Sequence, residues 1–182
     1  GIALGLLAGG SRAVEGFFDP LVSLTYPVPK IALLPILMSW LGLGDASKIA
    51  VIALGVFYPA FINAYYGAKA VNRLHVWSAL NMGATRLQVF AKVVLPSAAP
   101  QVLTGLRIGL ALAFIVMFAA EMVGAKTGLG NLVMEAEASL RFDLMYAAII
   151  AIGVLGFASD RVLLALRRRL LAGRLAGHAD HA

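Results

Sequence analysis

Long apolar runs separated by short polar segments divide this chain into its elements. Residues 1–10, GIALGLLAGG, read as the end of a spanning helix. They are too few to cross a bilayer alone, so the chain is expected to be a fragment lacking its N-terminal helix. Residues 11–20 carry mixed charge and predict an interfacial turn or short helix. Residues 21–42 are apolar but hold Pro27, Pro29 and Pro35, each removing an amide donor, so a bent or discontinuous span is expected. A glycine-rich turn at 42–45 precedes a span over 46–68 that contains Pro59. Residues 72–92 are polar and basic and read as two short helices broken at Gly83. Residues 97–123 form a further span rich in small residues. Gly105 and Gly109 lie on it four apart, the spacing that lets helices approach closely. A loop over 124–142 holds Gly124, Gly128, Gly130, Glu135 and Glu137. Residues 143–166 form the last span, followed by Arg167, Arg168, Arg169 and Arg174 in a polar tail.

The runs approach the ~20 residues a helix needs to cross a bilayer. They are too long and too uniformly apolar for the alternating segments of a membrane barrel. An all-α, polytopic transmembrane helical bundle forming one domain over 1–182 is therefore predicted. Composition agrees: 61% of residues are hydrophobic and 13% charged, against roughly 25% charged in a soluble domain. The net charge of +6 could suggest nucleic acid, but in a membrane chain basic residues set orientation. Arg12, Lys69, Arg73, Arg86, Lys92, Arg167, Arg168, Arg169 and Arg174 fall on one side, against Lys48, Lys126 and Arg141 on the other. By the positive-inside rule residues 72–92 and the C-terminus face the cytoplasm. The sequence has no cysteine, and His75, His178 and His181 have no metal-site spacing. No phosphate-binding GxxxxGK[ST] loop occurs.

Within residues 72–92, Asn72 is placed to cap the first short helix. Gly83 suits the left-handed residue that ends it. Thr85 and Gln88 have capping-box spacing for the second helix. Leu74, Ala79, Leu80, Leu87, Val89 and Phe90 supply apolar faces. Two readings follow: a plug that fits a groove in a cytoplasmic partner, or an amphipathic loop resting on lipid headgroups.

The spacing resembles the cytoplasmic signature of the inner-membrane permease subunits of binding-protein-dependent ABC importers. That signature is Glu-Ala-Ala, three residues, Gly, nine residues, Ile, one residue, Leu-Pro. Ala79 takes its third position, Gly83 its glycine, Val93 its isoleucine, and Leu95-Pro96 its end. Trp77 stands at its glutamate and Ser78 at its first alanine. The stretches Tyr26 to Ile49, Leu95 to Phe114, Ala119 to Val133 and the Asp160-Arg161 pair look like the sulfonate, taurine and nitrate branch of that family. The resemblance implies a type I importer fold and a pathway for a small anionic solute. Its partners would be two ATPase subunits, a second permease subunit (a homodimer), a solute-binding protein and membrane lipid. It implies a bacterial inner-membrane location. ATP would be bound by a partner, so the chain itself takes no cofactor. Ala79, Gly83, Ala84, Thr85, Leu87, Leu95 and Pro96 would couple to the ATPase.

Arg107 lies about eleven residues past Pro96, or about 16 Å at helical rise. An intramembrane charge there could line a pathway for an anion. Alternatively it snorkels to the interface or pairs with a carboxylate such as Asp160. Glu121, near the outer end of the same span, could gate the pathway or pair with Lys126. An intramembrane enzyme would need convergent catalytic groups, and the spans hold no histidine and no facing pair of aspartates. No catalytic residue is therefore assigned. A channel or structural subunit working without ATP is the remaining alternative.

Overall fold

A computed structural model describes residues 1–179 except Gly124, and the side chains of residues 1–169 with the same exception. Gly124 and His181, and the side chains of Arg174 and His178, lie outside the described residues. The described elements are helical. They are α1 (Ile2–Gly10), α2 (Arg12–Thr25), a 3-10 turn (Lys30–Leu33), α3 (Leu34–Leu41), α4 (Asp45–Lys69), α5 (Arg73–Asn81), α6 (Arg86–Val89), a π turn (Phe90–Val94), α7 (Leu95–Met122), α8 (Leu129–Ala138) and α9 (Phe142–Ala179). Among the described residues, three continuous helical stretches are long and apolar enough to cross a membrane: Asp45–Lys69, Arg86–Met122 and Phe142–Arg169. A fourth arises if α2 and the Lys30–Leu41 pair count as one broken span.

The structure redraws three boundaries. The expected break near residue 20 lies instead at residues 26–29, because α2 carries Pro20 within it and stops at Thr25. Pro27 and Pro29 supply the interruption: Tyr26 still closes a helical bond to Val22 O, but neither proline has an amide with which to continue the series. The expected gap between the second short helix, ending at 92, and the span starting at 97 is absent: α6, the π turn and α7 form one uninterrupted helix. In a regular helix the Pro96 ring would clash with the carbonyl of Lys92. Lys92 sits inside the π turn, whose wider i→i+5 bonding, closed by Leu95 N–H to Phe90 O, makes room for it. Finally, the expected loop at 124–142 contains the ten-residue α8.

The chain divides into two compact units, Gly1–Val28 with Val56–Gly109, and Pro29–Gly55 with Leu110–Ala182. In the first unit, Leu6, Ala64, Ala68 and Ala98 form a buried cluster against which Ile2, Phe90, Val94 and Val102 pack. Small residues allow this closeness. A methyl group at Gly5 would overlap the Phe61 carbonyl, and one at Gly105 would stand 2.6 Å from the Asn63 Cβ. The expected close approach at Gly105 and Gly109 is thus met, against Pro59, Asn63 and Val56 of α4. In the second unit, Leu34, Val51 and Ala120 are buried together, with Ile31, Leu37, Met38, Ile52 and Val116 around them. There α8 packs on α9.

Candidate functional site: the helical elbow

The polar segment folds as the capping residues direct. Asn72 accepts the Leu74 N–H at 2.9 Å and opens α5. Gly83 adopts φ +84°, a left-handed conformation in which a side chain is strained. Its N–H donates to Leu80 O at 2.9 Å, while Ala84 N–H donates to Ala79 O at 3.0 Å. This pair of bonds is a Schellman closure, which satisfies the carbonyls that the end of a helix leaves open. Thr85 and Gln88 then form a reciprocal capping box. The Thr85 N–H donates to Gln88 Oε1 at 2.8 Å, and the Gln88 N–H donates to Thr85 Oγ1 at 3.3 Å.

Ala79, Gly83 and Ala84 are therefore brought together by backbone bonds, and Thr85 starts the next helix one residue on. With Met82, Gln88 and Lys92 they line a hollow of about 270 Å³. The elbow leaves large apolar side chains uncovered: Met82 is 88% exposed, Leu87 76% and Leu74 62%. Val89 is buried and Phe90 and Val94 pack on the first unit's core, so the elbow is anchored at its foot and bare at its tip. Leu95 and Pro96 belong to the first turn of α7 rather than to the bend. Trp77 is half exposed on α5.

The structure does not bring the two charged residues of α7 together. Arg107 and Glu121 are fourteen positions apart on one helix, about 21 Å at helical rise. Arg107 lies on an exposed position between buried Gly105 and Gly109. Glu121 does not pair with Lys126 among the described residues. Its Oε2 accepts the Gly130 N–H at 2.7 Å, in the first turn of α8. A carboxylate there satisfies a free amide and complements the positive end of the helix. The Glu121 carboxyl stands so close that a Cβ on Gly128 would meet its Cδ at 2.5 Å.

One cluster was not expected from the sequence. Glu15 Oε1 accepts from Tyr65 Oη and from Lys69 Nζ, each at 2.5 Å, and ties α2 to the end of α4. Tyr65 and Lys69 are one helical turn apart, which was visible, but nothing in the sequence pointed to Glu15. The stripe of Gly1, Gly5 and Gly9 against α4 was also missed, although its spacing of four was open to reading.

These features sit in a chain that belongs to the family of binding-protein-dependent transport system inner membrane components, whose family model matches residues 1–172. It is 41% identical over 170 residues to the taurine transport system permease protein of Escherichia coli (strain K12), covering 93% of this chain and 62% of that protein. It is 34% identical to a putative aliphatic sulfonates transport permease protein of Bacillus subtilis (strain 168), over 96% of this chain and 63% of that one. A formylaminopyrimidine transport permease protein of Halalkalibacterium halodurans is 36% identical over 93% of this chain and 70% of its own. The chain thus spans somewhat over three fifths of the length of the first two relatives. The family is one of transport components of the inner membrane, not of enzymes.

Proposed function

We propose that this chain is part of the translocation pathway of an ATP-driven importer, moving a small anionic solute such as a sulfonate, taurine or nitrate. A solute-binding protein delivers the cargo from outside. Two ATPase subunits drive transport from the cytoplasm, and a second copy of the permease completes the pathway. The elbow over residues 72–92 is the lever: Ala79, Gly83, Ala84, Thr85 and Leu87 form the part a partner grips, and Leu95 and Pro96 hand its movement to the span. Arg107 is the pathway residue proposed to attract an anion. Glu121 serves the pathway by fixing the start of α8 at its far end. The names of the taurine and sulfonate relatives support the cargo class.

The observation that carries this reading is the unbroken helix from Arg86 to Met122. A push on the exposed apolar tip at Met82 and Leu87 has no flexible joint in which to dissipate before it reaches the apolar span. The test uses the full-length protein. A single cysteine at Ala84 in an otherwise cysteine-free protein should resist an impermeant maleimide in sealed cells and react once they are opened. The unaltered protein should retain its ATPase in mild detergent, and Leu87→Asp should lose it while its melting temperature holds. Labelling of Ala84→Cys in sealed cells, or no ATPase bound to the intact protein, overturns the reading; the second result would favour a channel working without ATP.

A further inference from the structure

At the foot of the elbow lies a cleft of about 1060 Å³, at the top of the range for small-molecule pockets, lined by Phe90 and Val94 but not by Met82 or Leu87. Arg12, Lys69, Arg73 and Arg86 line it. Glu15 is the one carboxylate among its lining residues, and Lys69 and Tyr65 already occupy that carboxylate. Arg12, Arg73 and Arg86 make no ion pair within 4.0 Å among the described residues. Trp77 and Leu80 from α5 and Phe90 and Val94 from the foot of the elbow give the wall an apolar side.

We propose that this cleft binds an anionic phospholipid, its phosphate held by Arg12, Arg73 and Arg86 and one acyl chain laid along Trp77, Phe90 and Val94. Three observations select this occupant. Guanidinium groups grip phosphate oxygens in pairs and keep their charge at any physiological pH. The cleft opens where α4 ends and the Arg86–Met122 helix begins, both of membrane-crossing length and composition, and basic residues at such ends attract anionic headgroups. Its apolar half suits a hydrocarbon chain better than it suits an acidic protein segment. A protein partner has a separate surface available, because Met82 and Leu87 do not line the cleft. Trp77 contributes in its own right: a glutamate at that position would set a second carboxylate into the cleft and repel phosphate. The inference is independent of the coupling reading, since it needs only that this end of the molecule meets a lipid surface.

Trp77 also makes the site measurable. The chain has two tryptophans, and Trp40→Phe leaves Trp77 as its sole tryptophan, excited selectively over the tyrosines at the red edge of the absorption band. The full-length protein, with any further tryptophan likewise replaced, is reconstituted into phosphatidylcholine vesicles. These contain a small fraction of either phosphatidylglycerol or phosphatidylcholine with brominated acyl chains. Brominated phosphatidylglycerol should quench Trp77 several-fold more than brominated phosphatidylcholine, and rising salt should narrow the gap. The preference should drop on the order of fivefold for each of Arg12→Gln, Arg73→Gln and Arg86→Gln. The three Arg→Lys variants should keep most of it, which separates loss of charge from loss of fold. Equal quenching by the two lipids overturns the proposal, as does a preference untouched by the glutamine variants. If soluble glycerol phosphate abolishes the preference, the cleft takes free anions and the proposal fails. If adding the ATPase abolishes it, the cleft belongs to a protein partner and the proposal fails equally. The quenching comparisons and the glycerol phosphate control bear on neither the sidedness of Ala84 nor ATPase retention, so their failure is distinguishable from failure of the coupling reading.

Discussion

The helix that contains α7 is preceded and followed by a glycine turn, and the two turns are built in opposite ways. Before it, Gly83 is needed for its backbone alone: φ is +84°, and a Cβ placed there would meet nothing within 4 Å. After it, Gly128 is needed twice over. Its φ of +122° is a region L side chains rarely adopt, and the Glu121 carboxyl fills the space where its Cβ would go. The first turn is open and surrounded by exposed apolar residues. The second is closed by its own helix, through the Glu121 bond to Gly130. On the reading proposed above, the turn that receives another molecule is the one whose surface is bare. A turn that must hold a shape supplies its own lid.

The largest effect is expected where both requirements meet. Gly128→Val would combine backbone strain with displacement of the Glu121 carboxyl from the Gly130 amide, together costing on the order of 3 kcal/mol. It should lower the melting temperature of the detergent-solubilised protein by several degrees. A loss no larger than that of Gly83→Ala would show that the far turn is as permissive as the elbow. Glu121→Ala comes next. It removes the acceptor from the amide of buried Gly130 and should cost about 1–2 kcal/mol. Glu121→Gln keeps an acceptor oxygen and should recover more than half of that stability. If transport falls in the glutamine variant while the melting temperature recovers, the negative charge itself serves the pathway. If both recover together, Glu121 is a structural clasp.

The elbow was legible because each of its constraints is a local one written in a favoured residue. Asn72 caps, Gly83 turns left-handed, and Thr85 with Gln88 closes a box, and all four do so in the structure. The far turn was not legible, for two reasons. Helix α8 opens with glycines that depress helix propensity. It also ends on Leu140, which takes φ +55° in a Schellman closure (Leu140 N–H to Glu137 O, Arg141 N–H to Ala136 O) where sequence reasoning looks for glycine. Glu121 compounded the difficulty, because its partner is a backbone amide and not the nearby Lys126. The spans were evident from apolar length, but that signal says nothing about the faces they bury. The window of Asp45–Lys69 is 28% buried and that of Phe142–Arg169 is 0% buried. The stripe of Gly1, Gly5 and Gly9 against α4, rather than hydrophobicity, accounts for part of that difference.

The smallest expected effect is the most informative about the elbow. Gly83→Ala places a Cβ in open space, so its cost is that of the left-handed conformation alone, about 1 kcal/mol. The Schellman bonds from Gly83 N–H and Ala84 N–H survive it, because neither needs the glycine's missing side chain. The variant should therefore keep its helix content, lose only a degree or two in melting temperature, and still retain the ATPase. Gly83→Pro removes the N–H that donates to Leu80 O and fixes φ near −65°. The bend must then open, and α5 and α6 lose the angle that the Gly83 turn sets between them. ATPase retention lost in Gly83→Pro but kept in Gly83→Ala would locate the partner's requirement in the shape of the turn. If both variants lose it equally, the elbow tolerates no side chain at its tip, and the partner packs directly on Gly83.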